Sequence, residues 1–260
     1  MSLIYVFAAS KMEGQPVLQI AGTGAGDTPA RPAQSLRSGQ NEFVLILGGM
    51  GPKGARAKAE EALGLASPQT SANPQLGRRP DAILIIGLCG ALTNSLTQNR
   101  IVAHSDCLST DSAQLPIQCS SAITNAIADL LVSRNIRCQK VVGITSPRIA
   151  VTKDDRLALA KAGGNVVDME SYSILSVAEQ ARIPAAVLRA VSDTPETRMP
   201  DFNRALDQAG ALDGRKALRI ALESPIQTAR LLRGNKRAMA HLTKALAIIL
   251  PSDCFSLPHA

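Results

Sequence analysis

Short apolar runs alternate with helical stretches along most of the chain. Runs of strand length fall at residues 3–9, 17–22, 43–47, 82–86, 101–104, 141–145, 165–168 and 185–191. Helical spacing occupies 53–65, 122–132, 154–162 and 172–182, then 203–222, 225–233 and 236–249. Turn chemistry agrees with these boundaries. Pro52 suits a first helical turn, Ser120 or Ser121 a cap, and Gly163-Gly164 a helix end. Pro184 closes 172–182, and Pro225 and Gly234 divide the last section. Residues 22–39 and 66–79 are polar and rich in Gly, Pro, Ser or Thr, and read as loops. Strand–helix alternation predicts an α/β fold: a single three-layer αβα domain, residues 1–260, around a mixed, largely parallel sheet. Residues 198–260 form its basic, helical C-terminal section.

Open sheets of this kind bind ligands beyond the carboxyl ends of their strands. Four such ends carry conspicuous residues. The first strand runs into Lys11-Met12-Glu13. The run 82–86 enters Gly87-Leu88-Cys89-Gly90. The run 165–168 enters Met169-Glu170, and 185–191 enters Ser192-Asp193. Parallel neighbours would gather Glu13, Glu170 and Asp193 around a cradle of glycine backbone. Asp168 is expected to be structural, because strand alternation turns it from the Met169 side. Arg189, inside an apolar strand, needs a partner. Gly48 to Pro52 is a glycine-rich strand-to-helix turn whose amides can approach a ligand. Gly22-Thr23-Gly24-Ala25-Gly26 has phosphate-loop composition, but no helix start follows, so it reads as a surface loop.

Composition narrows the function classes. Hydrophobic residues make up 45% and aromatics 2%, with no Trp, so Ala, Leu, Ile and Val must build the core. No apolar run approaches the ~18 residues of a membrane span, and residues 1–10 lack a basic leader. Five dispersed cysteines without C-x-x-C imply reduced thiols and a cytoplasmic setting. Three scattered histidines give no metal spacing, and no cofactor is expected beyond phosphate as a co-substrate. Ten Lys/Arg against four Asp/Glu in 198–250 give 10 − 4 = +6 of the net +7. That excess fits a solvated helix face or peripheral contact with an anionic membrane. Nucleic acid is disfavoured, since no aromatic platform accompanies it.

The blocks Asp168-Met169-Glu170-Ser171 and Arg189-Ala190-Val191-Ser192-Asp193 resemble the acid motifs of the nucleoside phosphorylase and nucleosidase superfamily, the purine and uridine phosphorylase family. Gly48 to Ala55 and Ile86 to Ala91 resemble its glycine turns. The run Leu231-Leu232-Arg233-Gly234-Asn235-Lys236-Arg237-Ala238 resembles its hopanoid-associated phosphorylase branch. The resemblance implies cleavage of the N-glycosidic bond of a purine, adenosine-type nucleoside by a dimer or higher homo-oligomer. It implies that Asp193 protonates the leaving base, that Glu170 holds the ribose hydroxyls, and that Met169 packs on the sugar. Glu13 would orient a water. Gly87, Leu88, Cys89, Gly90 and Ser192 would line the substrate. Bacterial phosphorylases of the family grip phosphate with an Arg and a Ser where this chain has Ile85 and Leu88. Those apolar side chains favour hydrolysis over phosphorolysis, although Arg148 or the 22–39 loop could supply a phosphate contact. Phosphorolysis giving ribose 1-phosphate or a lipid-linked equivalent is the alternative, and a non-catalytic, ligand-binding relative is a third. Tyr172 and Phe202 are the aromatic candidates for stacking a base.

Overall fold

A computed structural model describes residues 2–21, 35–65, 78–111, 113–207 and 212–256. The run 22–26 and most of the two predicted loops lie outside these residues. The strands are β1 (Leu3–Ala8), β2 (Ser35–Ser38), β3 (Asn41–Leu47), β4 (Ala82–Ala91), β5 (Ile101–Ser109), β6 (Ile117–Gln118), β7 (Cys138–Thr145), β8 (Val166–Asp168) and β9 (Ala185–Asp193). The helices are α1 (Lys11–Ile20), α2 (Pro52–Ala62), α3 (Ser121–Ser133), α4 (Lys153–Lys161), α5 (Ser171–Gln180), α6 (Gly214–Glu223) and α7 (Pro225–Ile249).

Strands β3, β1, β4 and β9 lie side by side and parallel. Beyond them the sheet closes on itself. β9 pairs antiparallel with β5, β5 parallel with β7, β7 parallel with β8, and β8 antiparallel with β4. Strand alternation divides the core into two layers. Ile4, Val6 and Ala8 share one cluster with Val17 of α1, Ile123 and Ile127 of α3, and Leu242, Leu246 and Ile249 of α7. Leu3, Tyr5 and Phe7 join Ala55, Ala59 and Ala62 of α2 and Ile174 and Leu175 of α5 on the other face. Three layers result, as the alternation of elements predicts. Each fully buried Leu or Ile of these clusters is worth about 1.5–3 kcal/mol. The alanine stripe of α2 lets that helix sit close.

Four local expectations are corrected. Residues 17–22 are not a strand, because α1 runs through Ile20. Its residues are exposed at 11, 12, 15 and 19 and buried at 13, 14 and 17, a helical period that a six-residue apolar window hides. The strand 82–86 continues through the glycine cradle to Ala91, so the cradle is itself extended backbone. The expected helix 203–222 is a 3-10 turn at Phe202–Ala205 and then α6, started by Asp213, whose side chain accepts from the Arg215 and Lys216 amides. Gly234 does not divide the last helix, since α7 is continuous for 25 residues. A Cβ at Gly234 would stand 2.8 Å from the Ser192 carbonyl oxygen and 3.0 Å from Gln98 Nε2. The glycine permits close approach of α7 to β9.

Candidate active site

The cradle Gly87 to Gly90 lies in mid-sheet, with acids at both ends. At the Gly87 end, Ser10 caps α1 by accepting from the Glu13 amide and donating to Glu13 Oε2 at 3.2 Å. This cap fixes Glu13 in the first turn. Its Oε1 accepts from the Leu88 amide at 2.9 Å. Gly87 has φ of +151°, and a Cβ there would come within 2.5 Å of Glu13 Oε1 and also meet Arg189 Nη1. Only glycine fits between the two charged groups.

Arg189 lies in β9 opposite Gly87 and is 1% exposed. Its guanidinium donates to Ser171 Oγ at 2.9 Å and to the Leu88 carbonyl at 3.4 Å. It stands 3.6 Å from Asp168 Oδ2 and 3.7 Å from Glu170 Oε2. Asp168 Oδ1 accepts from Thr145 Oγ1 and from the Glu170 and Ser171 amides. Burial opposes ionisation of Asp168, but Arg189, His104 and Ser171 outweigh it and hold the carboxyl below its usual range. Asp168 is thus an anchor for Arg189 and for the start of α5. Glu170, the residue before α5, accepts from the Gly51 amide at 3.1 Å, so the glycine turn before α2 serves the same cluster. Burial, with the charges of Asp168 and Glu13, pushes Glu170 up to about 7 against the pull of Arg189. Three buried carboxylates around one guanidinium leave an excess of negative potential.

β8 corrects the expectation of parallel neighbours. It runs against β4, with Gly90 opposite Val167 and Ala91 opposite Val166. It begins beside the last residues of β4 and travels back, which delivers Glu170 toward Gly87.

Asp193 stands at the Gly90 end. A register shift between Cys89 and Gly90 sets Gly90 opposite Asp193. A Cβ on Gly90 would lie 2.9 Å from Asp193 Oδ2. That oxygen accepts from Arg156 Nη2 at 2.5 Å. Arg156 is 2% exposed and also donates to the Ala91 carbonyl. Asp193 Oδ1 lies 2.6 Å from Ser192 Oγ, which is also 3.1 Å from the Cys89 carbonyl. One hydroxyl proton serves only one of these acceptors at a time. When Asp193 is ionised, Ser192 can donate to it. When Asp193 carries a proton, Ser192 can accept it and turn its own hydrogen to Cys89. The hydroxyl can serve either arrangement, while Arg156 pairs with the carboxylate.

Glu13, Gly87, Leu88 and Glu170 therefore join through Arg189. Cys89, Gly90, Ser192 and Asp193 form a second group, where β9 meets β4 three residues beyond Gly87, about 10 Å at strand rise. Met169, half-buried, lies between Asp168 and Glu170. Ile85 is in the apolar core, and Arg148 is exposed. Tyr172 donates to the Leu115 carbonyl. Among the described residues, no group of three His, Cys, Asp or Glu side chains is arranged to hold a metal. Sequence reasoning missed Arg156. Its one local signal is the capping box of Thr152 and Asp155, which starts α4 just before it.

A family model described as the phosphorylase superfamily matches residues 27–222. No curated protein matches the sequence. Among solved structures, the chain is similar to the 5′-methylthioadenosine/S-adenosylhomocysteine nucleosidase of Neisseria meningitidis, with TM-score 0.70 and 15% identity over 96% of this chain and 99% of that one. The S-adenosylhomocysteine nucleosidase of Streptococcus pyogenes aligns with TM-score 0.67 and 17% identity over 99% and 98%. The futalosine hydrolase of Helicobacter pylori aligns with TM-score 0.66 and 14% identity over 94% and 97%. At these identities the likeness establishes a shared fold.

Proposed function

The chain belongs to the phosphorylase superfamily, and from that premise we propose that it hydrolyses the N-glycosidic bond of a purine, adenosine-type nucleoside. The observation that carries this reading is the placement of Glu13, Glu170 and Asp193 along one glycine strand. Glu13 lies outside the matched residues 27–222, so its part rests on its place beside the cradle and on the resemblance of the sequence.

Cleavage builds positive charge on the ribose and negative charge on the departing base. Glu170, with the Gly51 amide and Arg189 fixing its oxygens, accepts hydrogen bonds from the ribose hydroxyls. Met169 supplies an apolar contact for the sugar. The carboxylate excess around Arg189 favours the developing cation. Asp193 gives its proton to the base, and Arg156 then stabilises the carboxylate left behind. General-acid help of ~10²–10⁴-fold corresponds to about 3–5 kcal/mol. Glu13 orients the attacking water. The solved relatives bear the names nucleosidase and hydrolase, and Ile85 and Leu88 offer phosphate no charge-assisted donor. The active form on this reading is a cytoplasmic homodimer or higher oligomer. The basic C-terminal helices are free to meet an anionic membrane, and no described helix is long and apolar enough to cross one.

The test is release of free base from adenosine-type nucleosides by wild type and by Asp193→Asn. The expected result is a loss of at least about 10²-fold in kcat with the circular dichroism spectrum unchanged. Undiminished release by a folded Asp193→Asn protein would remove Asp193 as the acid.

A further inference from the structure

On the opposite edge of β9 from the acids lies a cavity of about 470 Å³. Its walls are the turn before β5, the residues after α3, and the late part of α7. The chemistry is one-sided. Arg100, Arg137, Lys244 and His241 line it together with Asn99 and Asn135, and no carboxylate lines it. His241 and Lys244 are three residues apart on α7, so they share a face. The sequence of α7 contains no acid at all. Among the described residues, none of Arg100, Arg137 and Lys244 forms a salt bridge.

Two tight turns form part of the wall. Asn99 and Asn135 both adopt left-handed conformations, with φ of +66° and +62°. Asn135 ends α3, where its amide and that of Ile136 tie up the Val132 and Leu131 carbonyls. Asn99 turns the chain into β5 while its amide donates to the Val191 carbonyl at 2.8 Å. Next to it, Gln98 donates to the Ser192 carbonyl at 2.8 Å. The cavity is thus braced against the end of the strand that carries Asp193, yet it is separate from the acid cluster.

We propose that this cavity is a binding site for a phosphate group, a monoester or a diphosphate, distinct from the site of nucleoside cleavage. Unopposed guanidinium and ammonium groups around a concave space suit a multivalent oxyanion, which accepts several charge-assisted hydrogen bonds at once. A single carboxylate would leave most of those donors unmet. The phosphate can come from a free phosphorylated metabolite or from a lipid headgroup. The two sources present the same chemistry. The proposal does not depend on the catalytic reading.

The test uses the full chain and two probes: pyrophosphate, followed by calorimetry, and phosphatidylcholine vesicles with and without phosphatidic acid, followed by co-sedimentation. The informative variant is Arg137→Gln/Lys244→Gln, since both side chains are exposed and removable without opening the core. Arg230→Gln/Arg233→Gln removes the same charge from α7 outside the cavity. Saturable binding of either probe, weakened about tenfold or more in the cavity variant and little changed in the control variant, supports the site. Binding of pyrophosphate alone identifies a soluble ligand. Binding only of phosphatidic acid vesicles identifies a headgroup. Equal weakening in both variants would reduce the effect to general charge attraction and overturn the site. Failure of both probes to bind wild type at low salt would overturn it as well.

Discussion

The pair between Arg156 and Asp193 offers the sharpest energetic test of the site. The Arg156→Met variant keeps most of the side-chain volume but removes the guanidinium. Asp193 is 6% exposed, so its carboxylate would lose a 2.5 Å partner without gaining water, and the Ala91 carbonyl would lose a donor. Breaking a buried pair by removing one member typically costs about 3–5 kcal/mol. Neutralising the survivor relieves most of that penalty. Arg156→Met/Asp193→Asn should therefore be more stable than the sum of the two single variants predicts, by roughly 1–3 kcal/mol. The chain has no Trp, so urea unfolding is best followed by far-ultraviolet circular dichroism. Activity adds an independent readout: on the proposed role of Asp193 as the acid, Arg156→Met should lower kcat, because the carboxylate left after proton delivery loses its counter-ion. A loss below about 1 kcal/mol in the single variant, or strict additivity in the double, would refute the reasoning. Either result would mean that the pair is screened by solvent rather than buried.

Three further outcomes follow from the same geometry. Gly87→Ala forces a side chain into a left-handed conformation between Arg189 and Glu13. It should cost about 2–5 kcal/mol from strain and overpacking, measured by urea unfolding, and wild-type stability would show that the cradle is open. Glu170 has its folded pKa raised to about 7 from 4.5, so its contribution to stability is complete below pH 4.5 and is lost as pH rises through about 7. Glu170→Gln should remove up to about 3 kcal/mol of destabilisation between those limits, seen as a melting temperature that declines less than wild type from pH 5 to 8. His104, with both ring nitrogens buried and unpartnered, has its folded pKa lowered by burial to about 4. Its contribution is complete above pH 6.5 and is lost as pH falls toward 4. His104→Leu should therefore flatten the acid side of the stability profile, and an unchanged acid side would place the proton elsewhere.

Strand existence was readable because most strands are continuous apolar runs buried on both faces, as in β1 and β4. The alternation of elements carried the three layers. The closed part of the sheet was not readable. Antiparallel placement of β8 depends on its pairing with both β4 and β7, and no local residue pattern encodes that. Residues 17–20 misled because Val, Leu and Ile at short range fit strand and helix alike, and the Ser10 cap that decides the matter lies seven residues earlier. Gly234 misled for a different reason: a helix-interior glycine looks like a stop unless its neighbour in space, the Ser192 carbonyl, is known. The candidate acids were legible from their positions near strand ends. Their supports were not. Arg156 sits in a helix whose other described side chains are largely solvated, and only the three-dimensional path of β9 brings Asp193 to it.

The account stands or falls on water as the nucleophile at this site. Purified protein incubated with an adenosine-type nucleoside in phosphate-free buffer, with products separated by chromatography, measures it directly. Free base and free reducing sugar, formed at a rate that added phosphate leaves unchanged, are the predicted products. Base release that appears only with phosphate and yields a sugar 1-phosphate would contradict the account.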